Sequence, residues 1–157
     1  MGADTDLYHT DFLAWTREQA GALRSAGRGT NLPIDWENVA EEIETLGRSE
    51  RRELTSRLGT VIEHLLKLSL SPAEGPRRGW VETVLRTRAQ IDELLEDSPS
   101  LRGELPAHVA RLVPRTAQLV ADLLADKGEL TSEVHARLRG ASFTPEQVVG
   151  KWLPDPP

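Results

Sequence analysis

Cysteine is absent from the 157 residues. That removes disulfides, thiolate nucleophiles and cysteine-ligated zinc together, and it fits a reducing compartment. A basic excess is also missing: 19 lysines and arginines stand against 25 aspartates and glutamates, for a formal charge of −6. Surfaces that hold nucleic acid or anionic membrane normally show the opposite balance, whereas a mildly acidic chain is usually just soluble. No apolar run approaches the roughly 18 residues needed to cross a bilayer. The opening MGADTDLYHTDFLAW lacks a basic segment followed by a long apolar one, so it does not read as a secretion signal. Met1-Gly2 resembles the start of a myristoylation site, but Asp6 stands where that site needs Ser or Thr. These absences predict a soluble, cytoplasmic protein.

Catalytic signatures are missing as well. There is no Gly-x-Ser-x-Gly elbow, phosphate loop, dinucleotide fingerprint or zinc pattern. The four histidines, His9, His64, His108 and His135, include no pair three or four residues apart, so no helical two-His metal site exists. Glu63 and His64 are adjacent, which is the wrong spacing for the Glu-x-x-His motif of di-iron bundles. Neither a metal nor a cofactor is expected. No stretch alternates with period two for long enough to make a strand, and no internal repeat or low-complexity tract is found.

What is present is amphipathic helix. From Asp35 to Leu70 the apolar residues Val39, Ile43, Leu46, Leu54, Leu58, Val61, Leu65 and Leu68 recur at helical steps. Asp35 caps this helix, and Ile34 with Val39 occupy the positions of a hydrophobic staple. Glu37, Glu41 and Glu42 favour the positive end of the helix dipole. Gly47 and Gly59 each cost ~1 kcal/mol against Ala; close approach of a neighbouring helix explains them, or a bend at Gly47. A first helix is expected near 10–26, capped by Thr10 and ended by Gly27 in a left-handed C-cap. A third runs near 80–96, then Ser98 caps and Pro99 opens the next segment. A fourth spans 106–126, with Pro106 dividing a short helix from a longer one and Pro114 kinking the latter. Thr131 or Ser132 caps a short helix, and Thr144, Pro145 and Gln147 form a capping box. Trp152-Leu153-Pro154 reads as a segment docking back on the body.

The length suits one domain, and 38% hydrophobic residues suffice for one core. The expected fold is therefore all-α: a single-domain helical bundle over 1–157, with four main helices in 10–126 and short helices and a docking tail in 127–157. Its core should hold Trp15, Ile43, Leu46, Leu54, Leu58, Val61, Leu65, Trp80, Ile91, Leu112 and Leu123. Trp15, Trp36, Trp80 and Trp152 fall one per segment and read as anchors joining elements.

Three groups of polar residues are candidates for chemistry. Glu50, Arg57 and His64 fall seven residues apart on or beside the apolar stripe of the long helix. A charge turned toward a core needs a partner or a purpose. An ion pair fixing helix register is one reading; a site built from Glu42, Glu50, Arg57 and His64, with His64 as acid or base, is another. Glu41, Glu42 and Glu44 read as solvated acids near a helix start. Arg48, Arg51, Arg52, Arg77, Arg78, Arg86 and Arg88 could gather near Trp80 to hold phosphates or stack bases, although Glu44, Glu50, Glu53 and Glu82 favour salt-bridged faces instead. Arginines outnumber lysines 16 to three, which suits bidentate carboxylate pairing and equally reflects base composition.

Tyr8-x-x-Asp11-Phe12-x-x-Trp15-x-x-x-Gln19, then Asn38-x-x-Glu41-Glu42-Ile43-Glu44-x-Leu46-Gly47-x-Ser49, then His64-Leu65-Leu66-Lys67 and Trp80, resemble the bacterial family designated domain of unknown function twenty-nine. Ser98-Pro99-Ser100-Leu101, Thr144-x-Glu146-Gln147 and Trp152-Leu153-Pro154 agree. The resemblance covers nearly the whole chain and implies a compact all-α bacterial protein, without implying an activity, cofactor or ligand. Abundant amphipathic helix without a catalytic constellation favours a non-catalytic interaction or regulatory module with a protein partner or a second copy of itself. An enzyme or phosphate- or metal-ligand protein using the Glu/Arg/His seam, and a nucleic-acid binder using the arginines near Trp80, are the alternatives.

Overall fold

The computed structural model describes residues 6–157; the Met1-Gly2 pair lies outside them. The chain is all-α. Its helices are α1 (Leu7–Thr10), α2 (Phe12–Arg28), α3 (Trp36–Leu70), α4 (Arg77–Asp97), α5 (Leu105–Asp126), α6 (Ser132–Arg139) and α7 (Pro145–Val149), with a 3-10 helix at Pro99–Glu104. They form two compact units. The first comprises Met1–Leu54 and Glu93–Gly103, the second Thr55–Asp92 and Glu104–Pro157.

In the first unit one carboxylate organises two helix starts. Asp11 adopts extended backbone (φ −157°, ψ 89°) and its side chain accepts from the Ala14 N–H at 3.0 Å, so it is the N-cap of α2. It also accepts from the Ser100 N–H at 2.9 Å and the Ser100 hydroxyl at 2.8 Å. The expected cap, Thr10, is the last residue of α1 instead. Its hydroxyl donates back to the Asp6 carbonyl at 3.1 Å, and its helical backbone prevents it from capping α2. A second orphan donor of α2, the Leu13 N–H, is met by the buried Ser98 hydroxyl at 3.2 Å.

Gly27 does not end α2. The helix runs on to Arg28 and is capped by Gly29 at φ −108°; among the described residues only Gly128 has positive φ. Gly27 is required by proximity, since a Cβ there would lie 2.6 Å from Trp36 Cβ. Asp35 caps α3 as expected, accepting from the Asn38 N–H at 3.2 Å. Gly47 is the close approach between α2 and α3: a Cβ would fall 2.7 Å from Thr16 Oγ1 and 2.9 Å from Leu13 Cδ1.

That approach decides which face of α3 is buried. Ala40, Gly47 and Leu54, at seven-residue spacing, are the buried line. Val39 and Leu46 sit one residue, or about 100°, around the helix and remain 40% and 45% exposed. Leu46 is therefore not a core residue. Small side chains let α2 come close, and the large ones are left outside. Ile34, the other half of the expected staple, is also 46% exposed. Trp15 and Ile43 are half-buried.

The second unit holds most of the aliphatic core. Leu58, Val61, Ile62 and Leu65 of α3 are fully buried, as are Val84 and Ile91 of α4 and Val109 and Val120 of α5. Leu112 is buried too, while Trp80 and Leu123 are half-buried. Nothing crowds Gly59, so close approach does not account for it. Helix α4 begins at Arg77, a turn before Trp80, and the Arg77 guanidinium donates to the Leu68 carbonyl near the end of α3 at 2.9 Å. Helix α5 continues through Pro114, and α6 and α7 pack against it. Thr131 caps α6, and Thr144 with Gln147 makes the expected capping box on α7. No helix among the described residues is long and apolar enough to cross a membrane.

Candidate functional site

The first unit carries a pocket built by the shortest helix. The single turn of α1 and the start of α2 bring four rings together. Tyr8 meets Trp15 edge-on at 4.8 Å, Phe12 at 5.9 Å and His9 at 5.0 Å, and Phe12 stacks with Trp15 at 5.7 Å. These are favourable aromatic separations. Glu50 from α3 and Asp97 from the last turn of α4 complete a cavity of about 330 Å³ lined also by Tyr8, His9 and Phe12. Burial pushes the Glu50 carboxyl above its ordinary range; the negative charges of Glu53 and Asp97 push the same way, and a hydrogen bond from Ser98 opposes them. Its Oε2 is closed off from solvent and has no hydrogen-bond partner. The cavity thus places a half-buried carboxyl, a second acid and aromatic side chains together.

A second cavity of about 290 Å³ lies between α2 and α3, lined by residues including Arg17, Glu44, Arg48 and Arg51. Its charges are largely spoken for. Arg24 forks onto Glu44 at 2.6 and 3.1 Å and reaches Glu37 at 2.8 Å, while Arg48 binds Glu41 at 2.7 Å. The Arg24 bonds hold the Glu44 carboxyl below its usual range, and Glu44 then Glu37 raise the Arg24 guanidinium further. Arg17 and Arg51 have partners as well. This wall is a neutralised ion-pair network.

The remaining candidates go elsewhere. Glu42 is exposed on α3. Arg57 is hydrogen-bonded to Gln90. His64 Nδ1 lies 2.8 Å from the Thr60 carbonyl one turn back along its own helix. Arg78 is exposed with Glu82 at 3.4 Å, Arg86 is exposed, and Trp80 is half-buried.

Arg88 is the clearest departure from a phosphate-binding role. It is only 5% exposed, and its guanidinium donates to three carbonyls: Val148 at 2.9 Å, Gln147 at 2.7 Å and Trp152 at 2.7 Å. A buried cation at the carboxyl end of α7 satisfies orphan acceptors and the helix dipole. The tail is thus held by its backbone, with Trp152 and Leu153 side chains still 39% and 36% exposed. Among the described residues no group of three or more Asp, Glu or His is placed to hold a metal.

Of the pocket residues, Tyr8, His9, Phe12 and Asp97 are not among the site candidates that the sequence offers. Tyr8, Phe12 and Trp15 do have helical spacing, which is a usable signal. Asp97 has none, because only folding brings it to Glu50.

Comparison with known proteins bears on the family and the fold. The family model described as Domain of unknown function DUF29 matches residues 7–148. The chain belongs to this family. A crystal structure of an α-helical protein of unknown function from Rhodospirillum rubrum is similar over 90% of this chain and 94% of its own, at 21% identity and a TM-score of 0.64. That likeness establishes the fold alone. Among curated proteins none matches. Two residues of the Tyr-x-x-Asp-Phe and Glu-Glu-Ile-Glu blocks have structural duties here: Asp11 joins two helix starts and Glu44 receives Arg24.

Proposed function

We propose that this DUF29 protein is a non-catalytic interaction module of the bacterial cytoplasm, docking through the first half of α3. The observation that carries this reading is the line of large apolar side chains left in solvent: Leu32 at 60%, Ile34 at 46%, Val39 at 40% and Leu46 at 45% exposure. Single exposed leucines need no explanation, whereas Val39 and Leu46 on one face of α3, with Leu32 and Ile34 exposed in the segment just before it, support an interaction surface. The face is the one that small buried residues turned outward. Asp35 and the exposed Glu42 border it, while Glu37 and Glu41 are already engaged by Arg24 and Arg48. That charge favours an amphipathic helix of another protein with apolar anchors and basic flanks.

The test is a photo-crosslinking residue at Leu46 in the full chain, expressed in the native host, followed by reconstitution with the purified captured segment. The expected product is an apolar segment with basic flanks that binds at one-to-one stoichiometry. Val39→Asp and Leu46→Asp should each weaken it by tenfold or more, the equivalent of about 1.4 kcal/mol, with helicity unchanged. Crosslinks to a second copy alone, or reconstituted binding that ignores both substitutions, would overturn the reading.

A further inference from the structure

We infer that the pocket lined by Tyr8, His9, Phe12, Glu50 and Asp97 binds a compact organic cation, a guanidinium or alkylammonium group. This does not rest on the α3 docking face, which uses other residues.

Four properties of the pocket point to that ligand class. Two carboxylates line it, so an anion is repelled. The walls contributed by Tyr8 and Phe12 are aromatic, and ring faces attract cations within about 6 Å but do not coordinate metals. The two carboxylates and one imidazole leave a metal ion under-coordinated by protein. Glu50 lines the cavity in a setting where burial and the neighbouring acids Glu53 and Asp97 disfavour its ionised form. A cation bound between the Glu50 and Asp97 carboxylates offsets that repulsion through charge-assisted hydrogen bonds.

Size narrows the class further. A cavity of about 330 Å³ is near the lower end for small-molecule sites, roughly 300–1,000 Å³. It suits a head group with a short stem rather than a cofactor. A guanidinium fits best chemically, because it is planar, stacks on rings and forks onto carboxylates. Such a group could arrive on a free small molecule or as an arginine side chain of another protein.

Ethylguanidinium, ethylurea, agmatine and Nα-acetyl-arginine amide are the probes, titrated into the full chain while amide and indole signals are followed by NMR. Ethylguanidinium should give saturable shifts confined to residues around Tyr8–Trp15, Glu50 and Asp97–Ser98. The neutral isostere ethylurea should not. Glu50→Gln and Asp97→Asn should each weaken binding about tenfold, the loss of roughly one charged hydrogen bond; both retain side-chain size and should fold. Tighter binding of capped arginine than of agmatine identifies a protein side chain as the source, and the reverse order identifies a free amine. Equal shifts with ethylurea, insensitivity to both substitutions, or no saturation by about 50 mM, weaker than any useful affinity, would overturn the inference.

Discussion

Replacing Arg88 by methionine tests the account of how the C-terminal segment is held. The side chain stays long and fits an apolar setting, but three hydrogen bonds vanish, to Gln147, Val148 and Trp152. Breaking a hydrogen bond to a charged group costs about 1.5–3 kcal/mol. Three at the lower bound total about 4.5 kcal/mol. Part is returned, because burying the guanidinium costs hydration, lowers its basicity, and leaves Nη1 without a partner. A net loss of about 3 kcal/mol remains, or a fall of roughly 10 °C in Tm for a chain of this size. Urea denaturation followed by circular dichroism reads the global term. Hydrogen exchange over Thr144–Trp152 reads local release of α7 and the tail, which is expected even if the rest stays folded. Arg88→Lys should fall between, keeping the charge without the fork. Wild-type stability together with wild-type protection of those amides in Arg88→Met would refute the clamp.

Three further outcomes follow from the geometry. Asp11→Ala removes the α2 cap and both bonds to Ser100, and should cost about 2–3 kcal/mol by urea denaturation. Gly47→Ala and Gly59→Ala should move stability in opposite directions. The first drives a Cβ into Thr16 and Leu13, both buried and with Thr16 Oγ1 held by the Leu13 carbonyl at 2.7 Å, at a cost of about 1–3 kcal/mol that exceeds the helix-propensity gain; the second meets open space and should gain about 0.5–1 kcal/mol. Glu50→Gln should stabilise at neutral pH. A carboxyl whose folded-state pKa is raised contributes stability below its unfolded pKa and loses it as pH rises through the folded value. The gain, under about 1 kcal/mol because the group is partly screened, should vanish by about pH 3.5; a gain that persists there would contradict the assignment.

Legibility followed the range of the interactions. Asp35 and Thr144 could be read as caps, and Thr131 as one of two candidates beside Ser132, because an N-cap acts on a donor two or three residues away. Thr10 misled because Asp11, one position on, already served α2 and Ser100. The second half of α3 was read correctly because it is covered on the side its stripe predicts. The first half was rotated by one residue because α2 approaches at Gly47, with Ala40 buried on the same line, and glycine carries no weight in a hydrophobic pattern. Arg88 looked like one of seven similar arginines, and nothing local marked it as the buried clamp.

The sequence by itself determined the all-α class, the family, most helix bounds and the absence of recognisable catalytic motifs, since periodicity, capping and composition are local quantities. Tertiary structure alone decided which face of α3 is buried, which arginine is enclosed, and that Glu50 and Asp97 share an aromatic-walled pocket. Each of those depends on a partner distant in sequence, whose approach is set by close packing of whole helices.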